Sequence, residues 1–253
     1  MSAPSYVTYT ILLESIGIIA VALAGLRVAV TRAGWPEAQR TRALHTAAVV
    51  LPLWFVVAWT LSWAEVFRGV ADWAPTIEFG IFVPVAIGLV WLWRSETAMR
   101  LIDAIPQSWL VGIQLYRVLG LIFLLLNALG SLPSLFALPA GYGDITVGLL
   151  APVVAVAYAR GVVGRELLVG GWNILGLLDL AIAITTGFLT SPSPLQMYAF
   201  DAPNELITSY PLVLVPVFGV PLAMLLHVTS LVKLGRETAR RMSPVGASKI
   251  QCS

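Results

Sequence analysis

Seven long apolar stretches occupy most of the chain, and they leave it little choice of solvent. They cover approximately 7–29, 43–66, 79–93, 108–129, 144–159, 171–189 and 211–232. A hydrocarbon layer about 30 Å thick is crossed by roughly 20 apolar residues of α-helix, each rising about 1.5 Å. No water inside that layer can satisfy a free N–H or C=O, so each stretch must close its backbone hydrogen bonds within itself. Composition agrees. Of 253 residues, 58% are apolar and 11% charged, whereas an ordinary soluble domain carries about 25% charge; the mean hydropathy is +0.88. A soluble enzyme, a disordered chain and a nucleic-acid binder are excluded. The single cysteine, Cys252, allows neither an internal disulfide nor a thiolate metal site. The expected fold class is an all-α polytopic membrane protein, with one seven-helix transmembrane domain over 1–235 and a basic tail over 236–253.

Orientation is read from the basic residues. With seven crossings, 13 of the 15 Lys and Arg fall at one side: Arg27, Arg32, Arg40, Arg42, Arg94, Arg100, Arg160, Arg165, Lys233, Arg236, Arg240, Arg241 and Lys249. Basic residues stay on the cytoplasmic side, which predicts the N-terminus outside and the C-terminus in the cytoplasm. The first stretch lacks a basic leader segment, so it is expected to remain as a helix. Anionic lipid headgroups are the expected neighbours of the basic face. On the other side, 130–143 and 190–210 are rich in Pro, Gly and Ser and are expected to form outer loops. Tyr6, Tyr9, Trp63, Trp73, Trp109, Tyr158, Trp172 and Tyr210 fall near span ends, as an interfacial aromatic belt does.

Helical periodicity then says which faces turn inward, because residues three and four apart share a face. One stripe of the fourth span carries Gln114, Arg117, Gly120, Asn127 and Ser131. The sixth groups Asn173, Gly176, Asp179, Ala183 and Thr186; the seventh groups Pro216, Gly219, Ala223, His227 and Ser230; the first groups Glu14, Gly17, Val21 and Gly25. Small residues let helices approach, and polar groups need partners away from lipid, so these stripes form the bundle interior. An Arg or Asp at mid-membrane costs about 2.5–3.5 kcal/mol even on lenient scales. At about 1.5 Å per residue, Arg117 lies about 13 Å and Asp179 about 12 Å from the basic boundary. Their side chains are therefore predicted to meet near the midplane. The candidate ligand or proton site is Glu14, Gln114, Arg117, Asp179 and His227, with Asp144, Asn127 and Asn173 as secondary polar positions. Arg117 would hold an anionic group or set the charge balance, and Glu14 or Asp179 would exchange a proton.

Other chemistries find less support. No catalytic constellation and no protein-ligated metal site is expected, since H-E-x-x-H is missing and histidines number two. One histidine from each of two helices can hold haem b, which makes His45 and His227 the residues of a haem-binding alternative. Gly141-Tyr142-Gly143-Asp144 matches the end of a potassium-channel filter but lacks the preceding Thr-Val, so Asp144 is expected instead to cap the fifth span. A retinal protein would need a mid-span lysine in the last helix, and Lys233 lies at the boundary. A parallel three-plus-one-plus-three transporter arrangement remains compatible with the topology.

The strings IPQSWLVGIQLYRVLG, LPAGYGDITVGLLAP, WNILGLLDL and YPLVLVPVFGVPLAMLLH resemble, over roughly 105–232, a family of bacterial seven-span inner-membrane proteins. The resemblance implies a multi-pass protein of the bacterial cytoplasmic membrane and brings no activity with it. Its motif-bearing positions here are Gln114, Arg117, Asp144, Asn173 and Asp179. The expected function is transport or binding of a small molecule, coupled to an ion or proton, inside the bundle; the alternative is a non-catalytic subunit docked to a larger membrane complex.

Overall fold

A computed structural model describes residues 4–69 and 75–242, and among these seven helices are long and apolar enough to cross a membrane. Helix α1 runs Ser5–Arg32 and α2 Glu37–Trp63; α3 is Ile77–Arg94, followed by a short helix α4, Glu96–Ala104. The fourth crossing is a composite of α5 (Gln107–Gly112), a 3₁₀ segment (Ile113–Gly120) and α6 (Leu121–Ala128). Helices α7 (Ser134–Ala159) and α8 (Arg165–Thr190) follow. The last crossing opens with one π-helical turn, Val215–Gly219, and continues as α9, Val220–Met242. Trp73, Lys249, Cys252 and the rest of the tail beyond Met242 lie outside the described residues.

Prolines start several of these helices. Pro4, Pro36, Pro106 and Pro133 stand immediately before α1, α2, α5 and α7 with extended ψ of 138–147°, where the fixed φ sets the entry and no intrahelical N–H is lost. Ser95 caps α4 by accepting from the Ala98 N–H at 3.2 Å. Pro52, Pro84, Pro139 and Pro152 lie inside helices, which membrane helices tolerate because packing re-satisfies the freed carbonyls.

The centre of the bundle is α7, packed on the composite fourth crossing and on α8, with α9 closing the ring; α1, α2 and α3 lie further out. The fourth crossing buries 44% of its apolar window, but α2 only 11%, so α2 faces lipid over most of its circumference. Two larger apolar cores and one small one result. One, at the end where α1 begins, gathers Val7, Ile11, Phe55, Phe136, Leu212 and Phe218. The second joins Val111, Val147, Ala151, Val154 and Trp172 nearer the end rich in Arg and Lys, called here the basic end.

One expectation needs correction. Residues 134–143 are not an outer loop: α7 starts at Ser134, so Asp144 is mid-helix and caps nothing. Glycine and proline read as turn signals in water, but here they permit close packing. A Cβ on Gly141 would come within 2.6 Å of the Leu124 side chain. Helix α9 continues to Met242, so the first residues of the expected basic tail, with Arg236, Arg240 and Arg241, are helical. Helix α4 is amphipathic and buries Ala98 and Ile102 against Leu92.

Candidate functional site

The 3₁₀ segment positions the first element of the site. In a 3₁₀-helix side chains three apart eclipse one another, and the buried residues of this segment are Gln114, Arg117 and Gly120. They form one inward column with Arg117 in the middle, 3% exposed. A second departure from α geometry, the π turn at Val215–Gly219, lies beside it, and Tyr116 donates its hydroxyl to the Gly219 carbonyl at 3.2 Å. Both irregular segments thus meet at the level of the arginine.

All three guanidinium nitrogens of Arg117 are committed. Nε donates to Asp144 Oδ1 at 2.8 Å, and Nη2 lies 2.7 Å from the same oxygen while also pairing with Asp179 Oδ2. Nη1 donates to His227 Nε2 at 3.1 Å. Arginine has no acceptor, so Nε2 must offer its lone pair and the histidine proton must sit on Nδ1. From there it is donated to Asn173 Oδ1 at 2.9 Å. Asn173 Nδ2 in turn donates to Val169 O and Ser230 Oγ, both at 2.8 Å, and Gln107 Nε2 donates to Ser230 Oγ at 2.6 Å. The result is a file of hydrogen bonds from the charge cluster towards the basic end, in which Asn173 and Gln107 donate to Ser230 Oγ from opposite sides.

Glycines make room for this cluster. A methyl group on Gly143 would overlap the Asp179 carboxylate, and one on Gly176 would overlap the His227 ring. The ring also packs on Trp172, 4.9 Å between centroids, and the Trp172 Nε1–H donates to Val147 O at 3.1 Å.

Beside the cluster, towards the end where α1 begins, the packing opens. One small cavity lies between α1, the 3₁₀ segment and the π turn, with Glu14, Ser15, Tyr116, Arg117 and Asp144 in its wall. A second, almost wholly apolar, runs between α3, α7 and α8. Asp144, Phe123, Leu180, Val215 and Val220 border both. Glu14 makes no hydrogen bond or ion pair among the described residues.

The predicted Arg117–Asp179 pair is therefore present, and Glu14 borders the same site. Gln114 is fully buried one turn from Arg117, but neither amide atom finds a partner. Asn173 and Asp144 are integral to the site, not secondary. Asn127 is not part of it: Nδ2 donates to Leu132 O at 2.8 Å and Ser134 Oγ at 2.9 Å, tying the α6–α7 turn. His45 is exposed on α2, whereas His227 is buried with both ring nitrogens engaged, so the structure does not bring the haem candidates together. No group of three or more His, Cys, Asp or Glu among the described residues has the arrangement of a metal site. Gln107 and Tyr116 were missed. Gln107 lies seven residues from Gln114, a spacing that returns to one helix face, and it could have been found.

At the basic end a second ionic group fastens the helices. Lys233, 4% exposed, donates to the α4 carbonyls of Ile102 at 3.0 Å and Asp103 at 3.3 Å, and pairs with Glu237 at 3.0 Å. Asp103 accepts from Arg236 at 2.9 Å and Arg240 at 2.6 Å. The hydrogen bond from Arg236, together with the one from Arg240, holds the Asp103 carboxyl below the usual carboxylate range.

A fold and site of this kind define a multi-pass membrane protein with a buried charge cluster. The chain belongs to the family described as domain of unknown function DUF8737, which matches residues 74–235. No curated protein and no solved structure matches it.

Proposed function

We propose that this protein is a proton-coupled transporter of small molecules in the bacterial cytoplasmic membrane, with its N-terminus outside. The membrane assignment rests on the resemblance of residues 105–232, and the orientation on the basic residues gathered at one end. The observation that carries transport is a charge imbalance beside a cavity. Two carboxylates, Asp144 and Asp179, pair with one guanidinium and a third, Glu14, borders the same cavity, while His227 serves as a neutral acceptor. A structural lock would need one carboxylate for one arginine. Surplus buried negative charge is costly, so a proton or another cation must join the cluster, and Glu14, open to the cavity, is where it can come and go. Gln114 and Asn173 hold the neighbouring polar layer.

The test is proton movement in liposomes containing the full chain and an entrapped pH dye. Under a potassium diffusion potential, with the low-molecular-weight fraction of a bacterial extract outside, wild type should move protons faster than Glu14→Gln and faster than empty vesicles. Equal rates in all three would refute coupling.

A further inference from the structure

The site's own chemistry limits what it can carry, and this step rests on the transport reading above. Every nitrogen of Arg117 already has a protein partner, so no guanidinium edge is left for an anion. Across the cavity stands Glu14, a carboxylate without a cationic partner, with Asp144 in the same wall. The remaining surface is apolar and aromatic, with Phe123 bordering both cavities and Phe218 and Phe136 bordering one each. Ligand sites commonly combine apolar walls with a few convergent polar groups, and the walls of both cavities have that combination. Carboxylate and aromatic face together select a positively charged head, and aromatic rings attract ammonium groups directly.

We propose that the ligand is an amphipathic organic monocation, its charged head between Glu14 and Asp144 and its apolar body among Phe123, Leu180 and Val215. The charge exchange balances one for one. The carboxylic acid of Glu14 loses its proton to water, the carboxylate accepts the cationic head, and the site's charge is unchanged. The other groups facing Glu14 are Asp144 from α7 and Tyr116 and Arg117 from the 3₁₀ segment, with Asp179 of α8 behind the arginine. The cavity walls from the π turn and α9 contribute no titratable side chain. Because Glu14 has no bond to lose, Glu14→Gln removes the charge with little change of shape.

The experiment is equilibrium binding of radiolabelled benzyltrimethylammonium to the purified full chain in detergent. This ion cannot lose its charge, and its uncharged analogue neopentylbenzene and the anion phenylacetate serve as competitors. Tetraphenylphosphonium provides a second, bulkier cation. At least one cation should bind, neither competitor should displace it, and Glu14→Gln should weaken it by about tenfold or more. Acidification should weaken wild-type binding in the same direction, a readout that survives if the variant fails to fold. Absence of binding by both cations, displacement by the neutral or anionic analogue, or binding indifferent to pH would overturn the proposal. Proton release on binding separates the two ideas. Cation binding at Glu14 without release refutes coupling but keeps the ligand class, while proton flux with displacement by phenylacetate does the reverse.

Discussion

The two halves of the bundle, divided at Arg117, treat buried polar groups in opposite ways. Towards the basic end, His227, Asn173, Ser230 and Gln107 are strung into one file of hydrogen bonds, and Lys233 finishes α4 below it. Towards the other end, Glu14 borders open volume with no partner, and two cavities share Asp144. The first half resists rearrangement, because separating its partners would strand donors and acceptors in a medium of low dielectric. The second has cavities beside a carboxyl group without a partner, which is what a ligand path requires, whereas the cavity of the basic half, between Val21, Gly25, Trp109 and Gly112, has almost wholly apolar walls. The arginine belongs to both, and its 3₁₀ segment and the facing π turn are where the helices depart from regular geometry, as often happens at functional hinges.

The largest expected effect comes from breaking the boundary itself. Arg117→Leu leaves Asp144 and Asp179 buried without a counter-charge and should lower unfolding stability in detergent by about 3–5 kcal/mol. Adding Asp179→Asn should restore only part of this, since Asp144 stays unpaired; the triple change with Asp144→Asn should restore most. Full recovery in the double variant would show that Asp144 is not a partner. Next, Gly176→Ala forces a methyl group into the His227 ring and should cost about 1–3 kcal/mol as overpacking, read as a lowered melting temperature. An unchanged melting temperature would mean that the ring is not held against α8.

Gln114→Leu sharpens the comparison by inverting the sign. Neither polar atom of its buried amide finds a partner among the described residues, and removing an unpaired polar group while keeping volume should raise stability by about 1 kcal/mol. A loss would show that Gln114 has a partner in the membrane. The smallest effect belongs to the exposed clasp. Asp103→Asn should cost less than about 1 kcal/mol at neutral pH. Because Arg236 lowers the Asp103 pKa, the wild-type advantage should be present above the ordinary carboxylate range and vanish as pH falls through the lowered value. Melting curves of both proteins from neutral to acid pH would show convergence; a constant gap would refute the ion pair.

Much of this was legible without coordinates. Apolar runs located all seven crossings, and the three- and four-residue stripes brought Arg117 opposite Asp179, because polar groups in hydrocarbon have nowhere else to go. What periodicity could not supply was the local geometry. Gly141, Gly143 and Pro139 looked like loop residues under rules learned in water, which hid the first turns of α7 and misplaced Asp144. The 3₁₀ and π turns leave no mark on composition, although the stripe already grouped Gln114, Arg117 and Gly120. Asn127 lay on the correct stripe but at a helix end, where its amide found a turn to tie. His45 shared only a residue type with His227, and type without burial does not make a site.

The contrast between the halves is tested most directly by thiol labelling at two serines. Ser15 borders the cavity beside Glu14, and Ser230 lies in the hydrogen-bonded file; both are buried, at 5% and 0% exposure. With Cys252 replaced, Ser15→Cys and Ser230→Cys each present a single thiol in a side chain of nearly the original size. In membranes treated with a small water-soluble methanethiosulfonate, the account predicts that the thiol at position 15 is modified readily and that the thiol at 230 is protected until the protein is denatured. Protection at 15 with modification at 230, or equal rates at both, would contradict it.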